Sequence, residues 1–429
     1  MFLLLLLACS GGTDEPSCAE GGSGTLSIRM DLPGEAWATA PAVEVFNAAG
    51  ASMGVLDEPG TLDLPGGSYI VAALRGTVDE GAIGRAYGLL ADTAATVCVA
   101  DGETVEWEGE WTLQPSSEKL WVLSREAAYA FDAAALDAGG PVEPALTIEV
   151  PRSNDLRGLA VDAMGNLWIA TAPTYGTRLL VYAPGGVDGS VEPMELSGGA
   201  FDPDDWVQVT ALGFSGKRDL WVLVKGSYSS DAAVWGFDLS QAFNFVATGE
   251  PPTLPSSRLT VEGLDAPDGL TIDGSDHVWL ADLGSDRVFD LGSGLGRSGD
   301  TTVTPGVAFT AGWEDDTGTH SLSGPTAVGF DPEGRLWVNY WTNPLMARFD
   351  AADATADNWT PDLRVGGSVL DLPAGLALDR AGRVWYGNEP QNGTGELVAL
   401  DTDDGTERLR LSSAAALSPS TLVFDPGFR

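Results

Sequence analysis

Positive charge is what this chain has least of. Its 429 residues carry 22 Lys and Arg against 62 Asp and Glu, a formal net charge of -40, and the only lysines are Lys119, Lys217 and Lys225. Such a surface repels phosphate backbones and anionic headgroups, which argues against nucleic acid as a partner; the acidity itself suits solubility in a salty or calcium-bearing exterior. Histidine is scarce as well, at His277 and His320. The chain therefore has no Ser/His/Asp arrangement and no metal-spaced His/Cys set, and it carries no glycine-rich phosphate loop. Cysteine is limited to Cys9, Cys18 and Cys98. No disulfide scaffold is needed, because 44% hydrophobic content over this length suffices for two or three domains with cores of their own. The apolar run from Met1 to Ala8 is too short to cross a bilayer as a mature helix.

That run ends in Leu6-Leu7-Ala8-Cys9, which resembles the lipobox of bacterial lipoprotein signals, although the usual basic residues before it are missing. The resemblance implies a signal peptide over 1–8, cleavage before Cys9 and lipidation of its thiol. The acyl chains would make the membrane a partner and place the protein in a bacterial cell envelope, at the outer membrane or cell surface. Residues 9–20, rich in Gly, Ser, Asp and Pro, read as a tether. Cys18 and Cys98 remain as an even pair in a compartment that permits oxidation, and a disulfide between them is predicted. Closing about 80 residues, it is worth on the order of 4 kcal/mol by loop entropy.

Residues 20–114 alternate in short stretches, 25–31, 43–47, 61–64, 68–74, 96–100 and 104–111, punctuated by Pro and Gly. They predict a small β-sandwich. Leu64-Pro65-Gly66-Gly67-Ser68-Tyr69 resembles a hairpin of the carboxypeptidase regulatory or transthyretin-like sandwiches, in which Pro-Gly makes the turn and Tyr starts the return strand.

Beyond 117 one pattern recurs: an alternating strand, a turn, and an apolar strand with a central tryptophan. Gly269-Leu270-Thr271-Ile272-Asp273 with Val278-Trp279-Leu280 shows it, as do Gly158 to Asp162 with Trp168, Ala211 to Ser215 with Trp221, Ala327 to Asp331 with Trp337, and Gly375 to Asp379 with Trp385. The tryptophans at 121, 168, 221, 279, 337 and 385 recur at a period typical of propellers or solenoids. A third and a weaker fourth strand follow each, which makes a propeller blade. Lys119 to Val122 opens the region without an inner partner, and Thr421 to Asp425 closes it without a Trp strand. The fold class predicted is therefore all-β: a β-sandwich over 20–114, then a six-bladed β-propeller over 117–429 whose C-terminal strand completes the first blade.

The repeats are similar to the six-bladed propellers of the gluconolactonase/senescence-marker-protein and NHL-repeat superfamily, and to the streptogramin lyases. Strand order brings two sets of residues to one face: those just before each inner strand (Arg157, Thr210, Asp268, Thr326, Ala374, Ser420) and those shortly after each Trp (among them Asp282, Tyr340, Trp341, Asn388 and Glu389). The connections 197–209 and 310–324, with Trp206, Trp313 and His320, are expected to overhang it. Candidate ligand-binding residues are Arg157, Asp268, Asp282, Trp341, Asn388 and Glu389. The gluconolactonase resemblance implies a divalent cation, for which Pro267-Asp268-Gly269-Leu270 supplies Asp268 as metal ligand, with calcium the candidate cation; the equivalent positions elsewhere offer no second carboxylate. No cofactor follows from the residues themselves. His277 reads as a solvated turn position on the opposite face, and Asp401 to Thr406 as a turn. Three functions stay open: a binding protein for a ligand, protein partner or glycan; a metal-dependent lactonase-like hydrolase or lyase; and a structural envelope protein.

Overall fold

Short strands of alternating burial, each too small to form a core alone, are assembled here into stacked sheets. A computed structural model describes Cys18 and residues 21–425 apart from residue 82 and the stretches 115–117, 125–126, 151–155, 172–176, 187–191, 197–206, 216–218, 226–231, 239–245, 248–254, 294, 296–298, 316–317, 343, 351–357, 367–372, 389–394 and 413–418. Cys9 and Glu389 lie outside the described residues, as do 197–206 of the expected overhanging connection. The described strands form nine sheets, three at the N-terminal end and six beyond.

In the N-terminal unit, Ser23–Asp31 buries every second side chain and lies between Gly60–Pro65 and Thr104–Glu110. A second sheet runs in the order Ser52–Leu56, Ala42–Asn47, Gly67–Leu74, Ala94–Val99. Leu26, Ile28, Val43, Val45, Val71, Val99 and Trp111 form one core shared by the two sheets. Cys18 and Cys98 are joined in a disulfide, with Cα atoms 5.6 Å apart. One expectation changes. Gly60–Pro65 and Gly67–Leu74 do not pair as a hairpin but belong to different sheets. The chain bends at Gly66 from one sheet to the other, and the Tyr69 hydroxyl donates to the Pro65 carbonyl at 2.6 Å, tying the corner. The strands Gly76–Glu80 and Ile83–Gly88, which form a third sheet with Thr112–Leu113, are rich in glycine and charge and give no clear apolar alternation.

The other six sheets are a β-propeller. Their first strands are Thr421–Asp425, Leu156–Val161, Gln208–Phe214, Pro267–Ile272, Pro325–Phe330 and Pro373–Leu378, sheets 1 to 6 in that order. Each first strand touches the next, and the sixth returns to the first. The two half-patterns do meet: Thr421–Asp425 pairs antiparallel with Lys119–Leu123, Asp425 opposite Lys119. Between sheets the packing is aromatic and aliphatic, with Trp121, Trp168, Trp337 and Trp385 buried.

In sheets 2, 4, 5 and 6 the Trp strand is fixed by a carboxylate at the end of the strand before it. Asp162 Oδ1 accepts from the amides of Met164 and Asn166, while its Oδ2 accepts from Trp168 Nε1 at 2.9 Å. Asp273, Asp331 and Asp379 do the same for Trp279, Trp337 and Trp385 at 3.1, 3.0 and 2.8 Å. One side chain thus satisfies the turn amides and the buried indole donor, which would otherwise be orphaned. The fourth turn residue is left-handed: Gly165, Gly334 and Gly382 in three sheets, Asp276 in sheet 4.

Three outer edges are covered by borrowed strands. Gly299–Val303, from the connection inside sheet 4, pairs parallel with Ser257–Val261 of sheet 3. Asn358–Trp359 from sheet 5 pairs with Val307–Asp315 of sheet 4, and Gly140–Pro141 from sheet 1 with Glu407–Ser412 of sheet 6. Such cover removes exposed strand edges.

The N-terminal unit sits on the face of the ring that bears the Asp-to-Trp turns. The Arg75 amide donates to Ala163 O at 3.0 Å and the Gly185 amide to Leu90 O at 2.6 Å. Thr93 bonds Asn166, Gln114 bonds the Met164 carbonyl, and Arg75 forms a buried ion pair with Asp425. Phe46, Ile70 and Leu74 pack with Ala163 and Met164.

The carboxylate clasp gives a ranked expectation. Trp337→Phe keeps most of the buried ring but removes one donor, and lowers unfolding free energy by about 1–2 kcal/mol; Asp331→Ala strips the acceptors of Arg335 N, Arg335 Nε and Trp337 Nε1 and costs about 3 kcal/mol or more. Urea unfolding measures both, and a larger loss for the Trp variant would contradict the clasp.

Candidate functional site

At the face away from the N-terminal unit, the first strand of each of sheets 2 to 6 breaks its register with the Trp strand. The irregularities fall between Leu156 and Gly158, Val209 and Ala211, Pro267 and Gly269, Pro325 and Ala327, and Ala374 and Ala377. The skipped residues in the first four are Arg157, Thr210, Asp268 and Thr326, four of the residues expected there from strand order. A bulge leaves its extra residue outside the alternation and bends the strand, so these side chains are re-aimed together. The glycine after the bulge allows neighbouring first strands to approach closely: a Cβ at Gly269 would lie 2.6 Å from the Thr326 carbonyl oxygen and 2.9 Å from Ala327 Cα. Arg157 is exposed and Asp268 half-buried. The Thr421 hydroxyl donates to the Arg157 carbonyl at 2.9 Å, tying sheet 1 to sheet 2 at this mouth.

The second set behaves differently. Asp282 is fully buried, and both of its oxygens are used. Oδ1 accepts from the amides of Ala266 and Gly284 at 2.6 and 3.3 Å; Oδ2 accepts from the Asp265 amide at 2.9 Å and the Ser285 hydroxyl at 2.6 Å. It pins the loop entering sheet 4 to the turn leaving its Trp strand, so it does not fit the ligand set that a cation shared with Asp268 would need. Asn388, buried, donates to Glu396 Oε2 at 3.1 Å, and Glu389 next to it is outside the described residues. Among the described residues no group of three His, Cys, Asp or Glu side chains converges as a metal cluster. Trp341 is 53% exposed, with its amide on Gly324 O at 2.8 Å.

Two polar atoms on this side were not singled out from the sequence as a pair. Thr326 Oγ1 and Asn339 Oδ1 are shielded from solvent and have no hydrogen-bond partner, while Asn339 Nδ2 donates to Gly375 O at 2.6 Å. Asn339 was legible in principle, because the matching positions are Ala170, Leu223, Ala281 and Gly387. An oxygen without a donor in a dry setting accepts from a water or from a ligand N–H or O–H.

The connection 310–324 is a hairpin, Val307–Asp315 with Gly318–Leu322, growing from the outer part of sheet 4 rather than from the central mouth. Trp313 stacks on His320 at 4.7 Å, and the Arg364 guanidinium lies 4.4 Å from the Trp313 ring centroid. His320 stands opposite Trp313 on that hairpin. His277, at the opposite turn, is half-buried rather than solvated, with Nδ1 3.1 Å from Asp290 Oδ2. The turn Asp401 to Thr406 is pinned by Arg348 on the Thr402 and Asp403 carbonyls and by Arg335 on Asp403.

These roles separate under mutation. Asp282→Asn places an amide donor against backbone N–H groups and costs about 2–4 kcal/mol of stability, whereas Trp341→Ala stays within about 0.5 kcal/mol of wild type. Chemical denaturation tests this, and an Asp282→Asn protein as stable as wild type would return Asp282 to the ligand set.

No known protein family matches the chain, and no curated protein matches its sequence. Solved structures that superpose on it include a protein of unknown function from Bacteroides caccae, with 12% identity over 72% of this chain and 99% of that one and a TM-score of 0.48. A catalytically inactive virginiamycin B lyase from Staphylococcus aureus aligns with 10% identity over 85% and 95% of the two chains and a TM-score of 0.38. The Dos1 propeller aligns with 9% identity over 91% and 85% and a TM-score of 0.40. At these scores no activity passes from those proteins to this one, and the propeller stands on the strand pairings themselves.

Proposed function

We propose that this chain is an extracytoplasmic protein of a bacterial envelope, lipid-anchored through Cys9, whose propeller binds a ligand or protein partner at the bulged face without catalysis of its own. The observation that carries the reading is the coincidence of four bulges: Arg157, Thr210, Asp268 and Thr326 stand at equivalent points of four successive sheets. They offer one cation, one carboxylate and two hydroxyls, a set suited to hydrogen-bonding a polar ligand, with the exposed Trp341 as an apolar surface beside it. A glycan has that chemistry, since sugars present hydroxyls to polar groups and C–H faces to tryptophan. The N-terminal unit occupies the other face, so this mouth is the one left to a partner.

The metal-dependent lactonase or lyase reading required Asp268, Asp282 and Glu389 to converge on a cation such as calcium. Asp282 is committed to four donors and is not placed to serve a cation, which favours binding over catalysis.

Calorimetric titration with calcium, magnesium, manganese and zinc, on wild type and Asp268→Ala, decides between them. The binding reading expects no stoichiometric site that the variant abolishes; such a site would overturn it and reinstate the metalloenzyme. A glycan array probed with wild type and Trp341→Ala then reads the ligand class, with signal lost in the variant expected for a sugar. For the anchor, Cys9→Ser is expected to move the protein from the membrane fraction to the soluble one, and retention in the membrane fraction would refute lipidation at Cys9.

A further inference from the structure

The seat between the N-terminal unit and the ring contains a carboxyl group that neither the fold's clasps nor the bulged face uses. Glu118 immediately precedes the first Trp strand and is 2% exposed. Its backbone amide donates to the Gly84 carbonyl at 2.9 Å, and its Oε2 accepts from the Gly84 amide, so it grips the N-terminal strand Ile83–Gly88 from both sides. Opposite stands Arg380, from the turn after Pro373–Leu378. Its Nη1 is paired with Asp79 of the N-terminal unit, while its Nε lies 3.9 Å from Glu118 Oε1, buried and without a hydrogen-bond partner. One guanidinium thus faces two carboxyl groups and is committed to Asp79.

We propose that Glu118 is a pH-sensitive latch, which holds the N-terminal unit tightly on the ring when uncharged and loosens that seat when it ionises. The surrounding charges are already engaged. Lys119 is paired with Asp132, Arg383 with Asp379 and Asp137, Arg85 with Glu80 and Glu35, and Arg75 with Asp425. None is released to neutralise a second anion. Burial accordingly raises the Glu118 carboxyl from 4.5 to about 7; the Gly84 amide and Arg380 lower it, and Asp379 and Asp79 raise it further. The sign follows from linkage. The seated form binds the proton more tightly than an opened form with Glu118 in water, so seating is strongest below the ordinary carboxylate range. It weakens as pH rises to about 7 and is level above that.

Hydrogen exchange on the full chain tests the latch at two of the amides that bridge the units, Arg75 to Ala163 O and Gly185 to Leu90 O. Corrected for intrinsic rates, their protection is expected to fall on the order of 100-fold between about pH 5 and about pH 8, while amides inside the ring, such as that of Leu180, keep theirs. Glu118→Gln is expected to abolish the fall. Should that variant not fold, Asp79→Asn frees Arg380 for Glu118 and is expected to shrink the fall. Constant protection in wild type, or an undiminished fall in the folded variants, overturns the proposal.

Discussion

The hydrogen bond from a buried indole to the carboxylate six residues before it is the interaction on which the propeller depends. A tryptophan in the middle of a buried strand brings a large apolar surface and one donor that must be satisfied. The aspartate meets that need from the preceding strand and, with its other oxygen, organises the turn between the two. Hairpin register, turn shape and indole position are therefore set together in sheets 2, 4, 5 and 6. Sheet 3 keeps a weaker version, with the Ser215 hydroxyl accepting from the Asp219 amide. In sheet 1 the same position, Asp425, faces Arg75 of the N-terminal unit instead.

That substitution in sheet 1 explains how the two faces of the ring diverge. The described turns of sheets 2, 4, 5 and 6 are short and internally bonded, a firm surface on which the N-terminal unit is seated through Ala163, Met164, Asn166 and Arg380. At the other face the first strands of sheets 2 to 6 depart from regular pairing. Rigidity on one side and re-aimed side chains on the other are consequences of one repeated hairpin, regular at its turn and irregular at its open end.

Much of this could be read in the sequence. The spacing of the tryptophans and the unpaired half-patterns at the two ends required a ring with a C-terminal clasp, and strand order alone named Arg157, Thr210, Asp268 and Thr326 as neighbours at one mouth. The rest depended on tertiary partners. Nothing in Asp282 itself reveals that four donors from two loops will surround it. Pro65-Gly66 marks a bend without saying whether the returning strand pairs with its predecessor or crosses to another sheet. The 307–322 hairpin looked like a loop because its glycines and charges mask the alternation. Glu118 is an ordinary acidic residue until Gly84 and Arg380 enclose it. The aspartate six residues before Trp168, Trp279, Trp337 and Trp385 was visible, but it only acquires meaning once the indole is seen to turn back towards it.

The pairing of Thr421–Asp425 with Lys119–Leu123 also has a kinetic side. During synthesis the first Trp strand emerges long before its partner exists, and it waits with an open apolar edge while the remaining sheets assemble. Joining strands so distant in sequence makes ring closure a late and entropically demanding step. Once made, it works in the opposite sense: no sheet at either end can peel away without opening the circle, so fraying from the termini is replaced by a cooperative, all-round resistance to unravelling.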